Sequence, residues 1–121
     1  MGRLAWVEDD PQIRKLVQAA LRASRHELHF ATNGREGLEL VERVRPDVLF
    51  TDVSMPEMDG LQMVDTLRKN PAFAALRVVF VTASMQRDQV ERYTSRGAAA
   101  YIAKPFSPAE LRAHIERLVP A

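Results

Sequence analysis

Five short apolar runs alternate along this chain with five segments in which apolar residues recur at helical spacing. The runs are Leu4-Ala5-Trp6-Val7, Glu27 to Ala31, Val48-Leu49-Phe50, Val78-Val79-Phe80-Val81 and Tyr101-Ile102-Ala103. Strands that each feed a helix predict a parallel sheet covered on both faces. Val78 to Val81 is continuously apolar, as a central strand buried on both sides should be. Glu27-Leu28-His29-Phe30-Ala31 alternates polar with apolar residues, which suits a half-exposed edge.

Helix signals fall in the gaps. Asp10 can cap a first helix with Pro11 in its first turn and Ile13, Leu16, Val17, Ala20 and Leu21 on one stripe. Asn33-Gly34 opens a second, with Leu38, Val41 and Val44 inward. Met55-Pro56-Glu57-Met58-Asp59-Gly60 reads as a loop, with Asp59 a cap for a third helix carrying Leu61, Val64 and Leu67. A fourth helix, Gln86 to Arg96, has almost no large apolar anchors beyond Val90 and Tyr93 and should be loosely held. Ser107-Pro108-Ala109-Glu110 has capping-box spacing ahead of Leu111, Ile115, Leu118 and Val119. Residues 1–121 show no repeats and no second domain.

Four of the five runs end in a polar residue with chemical use: Glu8-Asp9, Asp52, Thr82 and Lys104. Parallel strand ends of one polarity share one edge of a sheet, where open α/β proteins place their ligands. Carboxylates crowded there repel one another unless a cation neutralises them. Asp52 can serve as a nucleophile that forms an acyl phosphate. Asp9 and Asp52, with Glu8 one shell out, offer the hard oxygens that Mg²⁺ prefers. Lys104 supplies a compact cation and Thr82 a hydroxyl for phosphoryl oxygens. Lysine is scarce here, three against fourteen arginines, which gives weight to one placed at a strand end.

Composition narrows the remaining classes. Apolar residues make up 46% and charged residues 27%, a globular balance. The net charge of +1 gives no whole-chain attraction to nucleic acid or an anionic membrane surface. The absence of cysteine excludes disulfides and thiolate metal sites and fits a cytoplasmic location. His26, His29 and His114 lack metal-ligand spacing and read as surface residues. Trp6 reads as core.

These motifs resemble those of the receiver domains of bacterial two-component response regulators. The likeness runs through Val7-Glu8-Asp9-Asp10-Pro11, Asp52 with Met55-Pro56-Glu57-Met58-Asp59-Gly60, Val81-Thr82-Ala83, and Tyr101-Ile102-Ala103-Lys104-Pro105-Phe106. It implies a flavodoxin-like, doubly wound (βα)5 fold with a five-stranded parallel sheet in the order 2-1-3-4-5. It implies that Asp52 accepts a phosphoryl group from a sensor histidine kinase or histidine phosphotransfer protein. Asp9, Asp52 and the backbone carbonyl of Ser54 would bind Mg²⁺, with Glu8 acting through water. Thr82 and Tyr101 would form the switch pair, signalling through the fourth helix, fifth strand and fifth helix to a downstream effector. Ser54 and Ser84 would tune hydrolysis, and the small Ala83 would leave room for phosphodonor and water. The Lys104-Pro105 bond is expected to be cis.

The same likeness sets limits. Ala99 and Ala100 stand where many DNA-binding members carry acids used in dimerisation, so a monomer or weak dimer is expected, with no direct nucleic-acid or membrane contact. The chain reads as a stand-alone regulator or as a receiver cut from a hybrid kinase or output-domain regulator. Asp52-Val53-Ser54 lacks the second aspartate of haloacid-dehalogenase-type phosphatases. Glu8-Asp9-Asp10-Pro11 is electrostatically wrong for a flavodoxin phosphate loop. A purely structural module has no need of these acids or of Lys104. A phosphoacceptor switch with only slow self-catalysed chemistry is therefore expected rather than an enzyme.

Overall fold

Strand β1 (Arg3–Val7) lies between β2 (Glu27–Ala31) and β3 (Val48–Asp52), and β4 (Arg77–Thr82) and β5 (Ala100–Ala103) continue the sheet beyond β3 in the computed structural model. The structure describes residues 2–119, so Met1, Pro120 and Ala121 of the expected 1–121 domain lie outside the described residues. All four strand pairings are parallel, and the order is 2-1-3-4-5. The helices are α1 (Pro11–Ala20), α2 (Gly34–Val44), α3 (Gly60–Arg68), α4 (Arg87–Thr94) and α5 (Pro108–Leu118).

The apolar runs conceal a two-residue alternation that splits the core into two layers. Ala5, Val7, Leu49, Val78 and Phe80 pack with Leu40, Val41, Leu61 and Val64 of α2 and α3. Leu4, Trp6, Val48, Phe50, Val79, Val81 and Ile102 face the other way, onto Val17, Leu111 and Ile115 of α1 and α5. Val78 to Thr82 of β4 are all buried, as is every residue of β3, whereas only Ala31 of β2 is. The central and edge assignments therefore hold.

The caps lie where the sequence puts them. Asp10 accepts from the Gln12 amide, Asn33 from Glu36, and both Asp59–Gln62 and Ser107–Glu110 form complete capping boxes. Lys104-Pro105 is cis. Helix α4 starts at Arg87 and stops at Thr94, shorter than Gln86 to Arg96, because the chain turns at Gly97, whose φ of 74° admits glycine without a Cβ penalty. Pro71–Phe73 forms a 3₁₀ turn capped by Asn70 that apolar periodicity did not reveal. His26, His29 and His114 are half-buried, and none belongs to the cluster of Glu8, Asp9 and Asp52.

Candidate functional site

Register brings the acids together. Val7 pairs with Thr51, so the next residues of each strand, Glu8 and Asp52, emerge side by side from the sheet. Thr82 pairs with Ala103, which places Lys104 immediately beyond the same edge. The Lys104 amide donates to the Thr82 carbonyl at 2.8 Å. One oxygen each of Glu8, Asp9 and Asp52 falls within a 4.8 Å cluster. Gly60 lets the loop after β3 close against it. A Cβ on Gly60 would lie 2.1 Å from the Asp52 carbonyl oxygen, so no side chain fits there.

Lys104 stands inside the cluster, with Nζ 2.9 Å from Asp52 Oδ2 and 3.0 Å from Glu8 Oε1. Burial alone would push the ammonium pKa down. Its close contacts and charge interactions with the Asp52 and Glu8 carboxylates together outweigh that and raise it. Glu8 is 0% exposed, and its pKa is pushed up to about 7, first by desolvation and then by the Asp52 charge, against the pull of Lys104. The contact at Glu8 Oε1 is close but poorly aligned. Among the described residues, that oxygen and Trp6 Nε1 are the buried side-chain polar atoms without a hydrogen-bond partner. A buried carboxylate oxygen in this condition, beside two more acids and no softer ligand, fits a hard cation or its bound water. The donor set therefore suits Mg²⁺.

Asp9 is exposed at the rim, while Asp52 is 8% and Thr82 4% exposed. A cleft of about 360 Å³ is lined by Asp52, Ser54, Thr82, Ala83, Ser84 and Lys104 among others. Larger hollows of about 460 and 520 Å³ open beside Gly2, Arg25 and Asp47 and beside Pro71 and Leu76. They border the opposite ends of the strands, and none of Glu8, Asp9, Asp52 or Lys104 lines them. Size alone would mislead here, since the convergent charged groups are in the smaller cleft.

The predicted residues Glu8, Asp9, Asp52, Ser54, Thr82 and Lys104 thus share one edge of the sheet. Tyr101 does not join them. It is half-buried on β5, and its hydroxyl is hydrogen-bonded to Thr94. The Thr82 hydroxyl lies 2.9 Å from that of Tyr93 of α4 and also meets the backbone of Ser84. Sequence reasoning assigned Tyr93 only an anchoring role. It also passed over Arg14, whose guanidinium donates to the Glu8 backbone carbonyl at 2.8 Å and steadies the acidic turn. Arg14 lies one helical turn past the Asp10 cap, a spacing that could have suggested it.

Comparison with known proteins places the chain in a family. The model of the response regulator receiver domain matches residues 4–116. The chain belongs to this family. It is 36% identical over 118 residues to the response regulator Rre1 of Synechocystis sp., covering 96% of this chain and 51% of that protein. The regulatory protein AtoC of Escherichia coli is 31% identical, covering 97% of this chain and 25% of its own length. Curated relatives such as Rre1 are thus about twice as long as this chain. Among solved structures, the chemotaxis response regulator CheY4 of Vibrio cholerae superposes with a TM-score of 0.91 at 28% identity, covering 98% of this chain and 99% of CheY4. The signal receiver domain of a signal transduction histidine kinase from Syntrophus aciditrophicus gives 0.84 at 30% identity, covering 98% and 89%. This receiver domain has the CheY-like flavodoxin fold and the signalling role of two-component systems.

Proposed function

We propose that Asp52 is the phosphoacceptor of a Mg²⁺-dependent phosphorelay, loaded from the phosphohistidine of a sensor histidine kinase or histidine phosphotransfer protein. The observation that carries this reading is the cluster of Glu8, Asp9 and Asp52 facing the Lys104 ammonium. An Asp52 carboxylate oxygen attacks phosphorus, the P–N bond breaks, and the donor imidazole leaves with the bonding pair. Asp9, Asp52 and the Ser54 carbonyl would hold Mg²⁺, with Glu8 one shell out. Bound there, the ion neutralises charge on the transferring group.

The chain's own groups do the rest. Lys104 already contacts Asp52 and can pair with a phosphoryl oxygen. Ala83 is small and exposed, which leaves the cleft open to donor and water. The phosphorylated site gains negative charge and acceptor oxygens, which draw Thr82 and Lys104. Turnover is limited to slow self-catalysed phosphorylation and hydrolysis, since Asp52-Val53-Ser54 holds no second acid to act as acid/base. The output surface is α4, β5 and α5, read by an effector protein or domain in the cytoplasm. The same chemistry serves a receiver within a longer protein, the form in which relatives such as Rre1 and AtoC occur.

Intact mass after incubation with acetyl phosphate tests the reading. One phosphoryl group should be added with Mg²⁺, little without it, and none on Asp52→Asn. Equal labelling of Asp52→Asn would overturn the assignment.

A further inference from the structure

Tyr93 lies on the helix expected to move, yet it is its most deeply held residue. It is 1% exposed, and α4 has no other fully buried residue. Its ring lies 5.1 Å from that of Phe80 and 5.7 Å from that of Tyr101. Its hydroxyl reaches 2.9 Å from Thr82 Oγ1 and donates to the Ser84 carbonyl at 3.1 Å. The Thr82 hydroxyl accepts from the Ser84 amide at 3.1 Å, and with the Tyr93 proton on the Ser84 carbonyl its own proton goes to the nearer Tyr93 oxygen, that carbonyl lying 3.2 Å away.

Three oxygens thus share two hydroxyl protons, which fill two of the three edges of the triangle at a time. A threonine hydroxyl has one proton to give, and here it is spent inside the triangle. The geometry points to Tyr93 as the positioning residue of the switch: it holds Thr82 in the unphosphorylated arrangement, and Thr82 must part from it to serve a phosphoryl group on Asp52. This rests on the phosphoacceptor reading of Asp52. Release leaves no donor stranded, because the Tyr93 proton still has the Ser84 carbonyl. Tyr93 also fills the space on the α4 side of Thr82, and its ring touches Tyr101. Displacement of Thr82 thus reaches Tyr101 and α4 through Tyr93, not by direct entry of Tyr101. Thr94, the next residue, holds the Tyr101 hydroxyl, so the two tyrosines are tied to one helical turn.

Tyr93→Phe keeps the ring and removes the hydroxyl that meets Thr82 and the Ser84 carbonyl. Beryllofluoride with Mg²⁺ is the probe, as a stand-in for the phosphoryl group on Asp52. The affinity of Tyr93→Phe for it should rise roughly two- to tenfold, the equivalent of one net hydrogen bond lost from the unliganded state. In the free protein, the amide shifts of Thr82 and Ser84 should move along the line toward their bound positions. In a Thr82→Val background the same change should have no effect on affinity. A tyrosine that merely packs would alter the urea midpoint and leave affinity and shifts unchanged, and that result would overturn the proposal. So would a gain in affinity that persists without the Thr82 hydroxyl. If the parent chain bound no beryllofluoride at Asp52, the phosphoacceptor reading would fall first and this one with it.

Discussion

Lys104 Nζ lies 2.9 Å from Asp52 Oδ2, so the cation that would meet a phosphoryl oxygen already rests on the residue that would carry it. In the metal-free protein this lysine offsets part of the charge of three carboxylates. It is a resident counter-ion, and its contact with Asp52 is one that phosphorylation would rearrange.

Lys104→Met should destabilise the metal-free protein by at most about 3 kcal/mol, because it leaves buried carboxylates without their cation. Uptake of a proton by Glu8 blunts the loss. Urea unfolding in EDTA and in Mg²⁺ measures both sides: the deficit should shrink when the metal is added, while acetyl phosphate labelling of Asp52 stays low.

Glu8 predicts a pH dependence of defined sign. Its folded pKa, about 7, lies above the ordinary 4.5, so its contribution to stability is complete below pH 4.5 and is lost as pH rises through 7. His114 works in the opposite direction, since its lowered pKa makes stability fall as pH falls below the usual 6.5. The parent minus Glu8→Gln difference in EDTA isolates the Glu8 part and should decline between pH 5 and 8. Mg²⁺ affinity should rise across the same window in the parent and lose that dependence in the variant, as calorimetric titration at several pH values would reveal.

Gly60→Ala would drive a Cβ into the Asp52 carbonyl, which is backbone and cannot swing away. The strand end must shift. We expect a loss of roughly 1–3 kcal/mol together with weaker Mg²⁺ binding. Unchanged affinity in a folded variant would mean that the loop after β3 yields instead of Asp52.

Arg68 is a structural hub at the far end of α3. Its Nη1 donates to the carbonyls of Phe73, Ala74 and Leu76, its Nε to that of Arg96 and its Nη2 to that of Gly97. Arg68→Lys cannot reproduce this fork of donors. It should lower stability by about 2 kcal/mol, and hydrogen exchange should speed up most in the turn from Arg96 to Ala98.

The strands, the five helices and the acid cluster were legible because each rests on a local signal: an apolar run or stripe, a capping residue, or a charged residue just past a run. The 2-1-3-4-5 order is different. Periodicity says which residues are buried but not which strand lies beside which, and the order came only with the family likeness. Tyr93 and Arg68 escaped for a related reason. A tyrosine on an apolar stripe and an arginine in a last helical turn look ordinary until folding brings distant carbonyls and hydroxyls to their tips. The 3₁₀ turn at Pro71–Phe73 was missed because three residues are too few to show a period.

The parity of the sheet also decides what light can report. The chain's single tryptophan, Trp6, is stacked on Phe50 at 4.8 Å within the layer that faces α1 and α5. Thr82, Tyr93 and Tyr101 meet on the other side. The natural fluorophore is therefore attached to the strand that delivers the acids and insulated by the sheet from the tyrosines. Its emission should follow occupancy of the cation site and stay nearly silent about the rearrangement of α4, so the two events can be timed separately with one intrinsic dye and one label placed on the opposite layer.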